Sequence, residues 1–196
     1  MDTLEVYQFG RGASPYRAML VDDAAWEGWR ALDTAEPLAG RWEPPRLRFY
    51  LPGETGLSGD RKRKNPLPTD TDMPLVFGAL MTVVSERFVS LAGDALKPFG
   101  EFLPCASADG SFFVYHCTNL IPALDEPRSE FSRSRSTGEI LNVYRYAFRE
   151  DLIPPEGLFR LENGNRYLTF CTGSVDALLR RLPLRGVRTE KIPRPA

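Results

Sequence analysis

At 196 residues the chain is long enough for one well-buried domain and short for two independent cores, so residues 1–196 are read as a single domain. Hydrophobic residues at 42% and charged residues at 26% match ordinary globular usage, which excludes disordered and fibrous classes. With 25 basic and 26 acidic side chains the net charge is −1, so no global field selects nucleic acid or an acidic membrane as a partner.

The start, "MDTLEVYQFGRGASPYRAML", carries Asp2 and Glu5 and lacks the basic and apolar regions of a secretory signal, so export is not expected. "LEVYQF" alternates as a strand does, and "RLRFYL" after Pro44 and Pro45 does the same. The segment between them, "DDAAWEGWRALDTAEP", is acidic and rich in tryptophan, and its pattern fits neither helix nor strand cleanly. Residues 53–68 combine glycine, proline and charge in a way that continues no helix or ladder, which predicts an exposed loop. The longest apolar run, "PLVFGALMTVV", is interrupted by Gly78 and falls short of the roughly 20 residues of a membrane helix, so a soluble protein without a membrane partner is expected.

After Met73 the periods become readable. Ser85 is placed to cap a helix running to about Lys97, with Glu86 in its first turn and Phe88, Leu91, Ala92, Ala95 and Leu96 on one stripe; Pro98 stops it. "EFLPCAS" and "SFFVYHCTNLI" flank Asp109-Gly110, a hairpin signal because glycine accepts positive φ. "EILNVYRYAF" sets Ile140, Asn142, Tyr144 and Tyr146 against Leu141, Val143, Arg145 and Ala147, and is read as a strand partly buried on both sides. Short strands follow at "GLFRL" and "RYLTF", then a helix over about residues 174–182, an edge strand in "VRTEKI" after Gly186, and a frayed "PRPA" end. The fold class is therefore α+β, a mainly antiparallel sheet with a few flanking helices.

Candidate chemistry is sparse. Cys105, Cys117 and Cys171 form an odd set with no C-x-x-C spacing, which argues against a disulfide framework and a zinc cluster. Across the expected hairpin Cys105 faces residue 113 or 114, leaving Cys117 roughly 10 Å away or more at strand spacing, beyond disulfide reach. The thiols are read as reduced, in a cytoplasmic protein. His116 is the only histidine and sits in an apolar strand, where packing or hydrogen bonding is its ordinary role. "GLSGD" at 56–60 lacks the last glycine of a nucleophile elbow, and "GRGASP" at 10–15 has Pro15 where a dinucleotide loop needs its third glycine. "RKRK" at 61–64 has no interleaved aromatics for base stacking, so it reads as a solvated loop and not as a nucleic-acid site. Asp125, Glu126 and Glu130 cluster around Arg128 and Ser129; acid–base or metal chemistry competes there with a hydrogen-bonded turn between prolines.

The ordered phrases "MPLVFGALMTVVSERFVSLAGDAL", "GEFLPC", "NLIPALDEPRSEF", "GLFRLENGNRYLTF" and "VDALLRRLPLRGVRT" resemble immunity protein family 11 of bacterial polymorphic toxin systems, formerly a domain of unknown function. The resemblance covers residues 73–192, while residues 1–72 match loosely. It implies a cytoplasmic protein that binds and neutralises a cognate toxin without chemistry, cofactor or metal. The matching motif residues are Ser85, Glu86, Asp125, Ser129, Phe159, Arg160 and Gly186, with Ser85 expected as a cap, Phe159 in the core and Gly186 at a turn. Cys171-Thr172 departs from the acid or serine expected where the last helix begins. Partner binding by a toxin would fall to aromatic and cationic anchors, for which Trp26, Trp29, Arg61, Lys62, Arg63 and Lys64 are the candidates, with Trp42 beside them. The competing readings are a small enzyme using the Asp125 to Glu130 region or His116, and a scaffolding module.

Overall fold

The computed structural model describes residues 4–10, 16–22, 26–50, 67–77 and 81–193. Arg61, Lys62, Arg63 and Lys64, with nearly all of the expected 53–68 loop and the end at 194–196, lie outside the described residues. In chain order the elements are β1 (Val6–Phe9), β2 (Met19–Val21), β3 (Leu47–Phe49), β4 (Val76–Phe77), β5 (Thr82–Ser85), α1 (Glu86–Leu96), β6 (Gly100–Pro104), β7 (Phe112–Cys117), β8 (Leu120–Ile121), β9 (Glu130–Arg133), β10 (Ile140–Arg145), β11 (Leu158–Leu161), β12 (Thr169–Thr172), α2 (Gly173–Arg181) and β13 (Glu190–Lys191). The fold is α+β with mostly antiparallel pairing.

The largest sheet has the order β13-β1-β12-β11-β8, antiparallel except for the β11/β8 pair. β1 thus lies between two strands from the other end of the chain. All four of its residues are buried because its two faces serve different cores: Tyr7 and Phe9 join Phe88, Leu158 and Val175, while Val6 joins Phe159, Leu161 and Phe170. Two three-stranded sheets, β3-β2-β4 and β5-β7-β6, share a further core that includes Met19, Leu47, Val83 and Val114.

Ser85 ends β5 and caps α1, its Oγ accepting from the Phe88 N–H at 3.1 Å. The buried face of α1 is Phe88, Ala92, Gly93 and Leu96. Leu91, 38% exposed, and Ala95 point outward, so the expected five-residue stripe is corrected to a narrower one turned toward Gly93. A Cβ at Gly93 would lie 3.3 Å from Val89 Cγ1, a tight contact, and at an ordinary 3.7 Å from Phe102 Cε2. A 3-10 turn over Lys97–Phe99, carrying Pro98, follows the helix.

β6 and β7 form the hairpin marked by Asp109-Gly110, with Gly110 at φ +141°. Pro104 pairs with Phe113, and the Cys105 N–H donates to the Phe112 carbonyl at 2.9 Å, which moves Cys105 opposite residue 112 instead of 113 or 114. All three thiols are free.

β9 and β10 stand apart as a two-stranded ribbon. The reading of β10 as partly buried on both sides is corrected to one partly buried face: Leu141 is 53% exposed and Tyr144 71%. Register shifts fall between Ile140 and Asn142 and again between Val143 and Arg145, so Leu141 and Tyr144 are the extra residues of two β-bulges. The bulges replace an alternating period with one of three: Ile140, Val143 and Tyr146 pack on the Phe159/Phe170 core, and the residues that follow the first two point away.

β11, β12 and α2 follow the expected order. Thr172 precedes α2 without capping it through its side chain, because its Oγ1 instead accepts from the Gly157 N–H at 3.0 Å.

Candidate functional site

The polar residues buried beneath the N-terminal segment form one connected network. Arg160, 3% exposed, projects from β11 and donates to the carbonyls of Leu32, Thr34 and Arg166, the last at 3.0 Å. His116, 2% exposed, places Nε2 2.9 Å from the same Thr34 carbonyl and Nδ1 3.0 Å from Glu101 Oε1. Glu101 in turn accepts the backbone N–H groups of Leu38 and Ala39. Since a carbonyl oxygen only accepts, His116 Nε2 donates there, and with Nδ1 held by Glu101 the ring is engaged at both nitrogens. Burial pulls the Arg160 guanidinium below its ordinary value. The cavity beside Arg160 and His116 holds about 20 Å³, too small for a metabolite.

These three side chains grip backbone atoms of residues 32–39, adding to the anchorage that the buried Leu32 and Leu38 side chains give the segment. What it carries outward is a groove of about 660 Å³ whose walls include Arg30, Asp33, Glu36, Arg41, Trp42 and Arg166. The charges alternate in sign, with Arg30 paired to Glu27, Arg41 to Glu36 at 2.7 Å and Arg166 to Asp33 at 3.9 Å.

Trp26 and Trp29 flank this region half-buried. Trp26 meets Trp42 edge-to-face at a centroid distance of 5.9 Å and donates to the Glu43 carbonyl at 3.2 Å. Trp42 donates to the Pro104 carbonyl at 2.8 Å. Trp29 packs against Tyr167 at 5.8 Å with the Arg30 guanidinium 5.3 Å from its ring centroid. Both indole N–H groups of the Trp26/Trp42 pair are therefore spent inside the fold.

The motif residues fall in three places. Ser85 and Gly186 are joined through Thr71 and Asp72: Ser85 Oγ donates to Asp72 Oδ1 at 2.7 Å, and the neighbouring Arg185 N–H donates to Asp72 Oδ2 at 2.7 Å. Gly186 has φ +69°, and a Cβ there would lie 2.2 Å from Thr71 Oγ1. Glu86 is exposed in the first turn of α1, where a carboxylate favours the helix dipole. Asp125 and Ser129 close a second site around Ala147, whose carbonyl accepts from the Asp125 N–H at 2.9 Å and whose N–H donates to Ser129 Oγ at 3.0 Å. Phe159 and Arg160 are adjacent on β11 and point to opposite sides, Phe159 stacking on Phe170 at 5.6 Å in the core.

The carboxylates around Ser129 are each partnered within the fold. Asp125 is 3.8 Å from Arg128, Glu126 is paired with Arg133 and bound by Asn163 at 3.3 Å, and Glu130 lies 2.7 Å from Arg145. Burial pushes the thiols of Cys105, Cys117 and Cys171 up to about 12, so none is a ready nucleophile at neutral pH. Among the described residues no group of three or more His, Cys, Asp or Glu side chains is placed to hold a metal ion, and no helix is long and apolar enough to cross a membrane.

Sequence reasoning missed Glu101, Asp72 and the bulged pair Leu141 and Tyr144. Glu101 was within reach, since the hairpin register places it directly opposite His116. Asp72 depends on a partner distant in sequence, Arg185, and the bulged pair on an irregular register that no residue of β9 or β10 signals. Compared with known proteins, the chain matches no protein-family model and no curated protein.

Proposed function

We propose that this chain is a cytoplasmic immunity protein that binds and neutralises a cognate bacterial toxin through a protein–protein interface. The observation that carries the reading is the order of the five phrases across residues 73–192. The geometry supports it from another side. His116 and the Asp125 to Glu130 carboxylates, on which the enzymatic alternatives rest, are committed to partners within the fold. A binding module needs instead a rigid frame that presents variable side chains. The grip of Arg160, His116 and Glu101 on the backbone of residues 32–39 is a frame of that kind.

The test is co-expression with the polymorphic toxin encoded beside it. Protection of the host cell and a one-to-one complex on gel filtration are the expected results. Absence of binding and protection against every neighbouring gene product would sink the reading.

A further inference from the structure

We propose that the His116–Glu101 pair is a proton-dependent latch, which closes residues 32–39 on the β6/β7 hairpin with uptake of one proton and loosens them when that proton is lost. His116 Nε2 lies 2.9 Å from the Thr34 carbonyl oxygen, and Nδ1 lies 3.0 Å from Glu101 Oε1. The carbonyl only accepts, so one hydrogen sits on Nε2. A second must lie between Nδ1 and Oε1, because a bare ring nitrogen and a carboxylate oxygen at that distance would set two lone pairs against each other. A neutral imidazole beside an ionised carboxylate has one hydrogen for these two places. The closed geometry therefore holds one proton more. Glu101 also accepts the N–H groups of Leu38 and Ala39, and donors converging on a carboxylate favour its charged form, which puts the extra proton on the ring.

The arrangement with a single hydrogen places it on Nδ1 and makes Nε2 an acceptor. Its donor would then be Arg160 Nη2, which is 3.5 Å away and already given to the Thr34 carbonyl, and the Nε2 lone pair would face that carbonyl at 2.9 Å. Arg160 faces the ring from β11 and opposes a second positive charge there. The Glu101 carboxylate offsets it from β6, and Asp33, 3.9 Å from Arg166, attracts Arg160 from the held segment. Tyr115, Cys117 and Tyr167 line the cavity beside the ring; burial raises all three, so they stay neutral where histidine ordinarily titrates, about pH 6.5.

Closure that takes up a proton is favoured as pH falls and loses that contribution as pH rises. Leu32 and Leu38 keep their apolar anchorage on either side of the change, so the segment loosens while the rest of the chain stays folded. With it moves the groove wall formed by Asp33, Glu36 and Leu38, whatever partner that groove meets.

As the only histidine, His116 gives one set of ring signals in nitrogen-15 NMR. The experiment follows those signals and limited proteolysis within residues 27–43 together, from about pH 5.5 to about pH 8.5, in the wild type and in Glu101→Gln, with cleavage elsewhere in the described chain as the reference. Expected are hydrogens on both ring nitrogens at the acid end and loss of one as pH rises. Cleavage of the segment should become about 10-fold faster over the same interval, the effect of one hydrogen bond to a charged group. Glu101→Gln offers Nδ1 an amide N–H and makes that bond without the extra proton, so its cleavage rate should stay level. Were this variant to misfold, His116→Gln, which keeps an amide donor for the Thr34 carbonyl and has no ring to titrate, carries the comparison and should also be level. A wild-type ring that keeps the same hydrogens throughout, one or two, overturns the latch. So does a ring that titrates while cleavage of the segment stays constant, or a pH dependence in the glutamine variant equal to that of the wild type.

Discussion

Arg160 Nη2 and His116 Nε2 lie 3.5 Å apart, and both converge on the carbonyl of Thr34. Two side chains from adjacent parts of the sheet system thus hold one backbone oxygen of a segment more than 80 residues away. That convergence adds to a modest apolar anchorage, since the 3-10 turn at Gly28–Asp33 buries a single side chain, Leu32, and the residues after it add Leu38.

Replacing Arg160 by Met preserves much of its volume, leaves the carbonyls of Leu32 and Arg166 without this donor, and leaves that of Thr34 to His116 alone. Each buried group left unpaired costs about 1 to 3 kcal/mol, so a loss of about 3 kcal/mol in total is expected from denaturant unfolding. Arg160→Lys keeps the charge and loses the fork, and should recover only part of this. In both variants residues 27–43 should be cleaved by protease faster than the rest of the described chain. Wild-type cleavage kinetics in Arg160→Met would show that the segment is held by other means.

At the start of α1, Ser85→Ala removes the cap on Phe88 and one bond to Asp72, an expected cost of about 1 to 2 kcal/mol. Aspartate is ordinarily as good a cap as serine. Here it would set a second carboxylate against the buried Asp72, so Ser85→Asp should be less stable than Ser85→Ala, and Ser85→Asn close to the wild type. The order of the three midpoints in urea is the measurement; Ser85→Asp at wild-type stability would contradict the Asp72 contact.

Where a signal is local, the sequence carried the fold. The Ser85 cap, the 3.6 period and Pro98 marked α1 to within a residue, and Asp109-Gly110 marked the β6/β7 hairpin. Where the determinant is the pairing partner and not a local residue signal, it did not. The period of three in β10 follows from bulges against β9, and the two-residue strands β4, β8 and β13 exist only through the strands they join. Arg160 was legible as a motif position, yet its role was not, because the carbonyls it holds are supplied by residues 32 and 34, outside the region of resemblance. Trp26 and Trp29 were legible as aromatics and not as half-buried neighbours of Trp42 and Tyr167.

Gly186 combines two constraints, a φ of +69° and a Cβ position 2.2 Å from Thr71 Oγ1 and 2.9 Å from the Tyr16 ring. A left-handed conformation alone costs an L-residue about 1 to 2 kcal/mol. Gly186→Ala is therefore expected to lose about 2 kcal/mol or more. Gly40, with nothing within 4 Å of its added Cβ, is the control, and Gly40→Ala should stay within about 0.5 kcal/mol of the wild type. Equal melting temperatures for the two alanine variants would remove the special role of Gly186.

The last prediction concerns alkaline pH. Burial raises the thiols of Cys105, Cys117 and Cys171 from 9.0 to about 12, and Tyr7, through its hydrogen bond to Glu5 and then its burial, rises from 10.0 to about 12. Tyr115 is raised by burial as well. Each of these groups is neutral when protonated, so the unfolded chain gives up its protons first as pH increases. Between about pH 9 and 12 the folded state binds more protons than the unfolded one, and stability falls with rising pH. The contribution is complete below pH 9 and is lost on the way to 12. Urea midpoints should accordingly be level from pH 7 to 8 with respect to these groups and decline above 9. A variant with all three cysteines replaced by alanine starts lower, because Cys117 and Cys171 fill the core, but should decline less steeply over the same interval. A thiol reagent at pH 8 should modify the native protein slowly and the urea-unfolded chain at all three sites. Rapid modification of the native thiols, or the same alkaline slope without the cysteines, would show that burial does not control their titration.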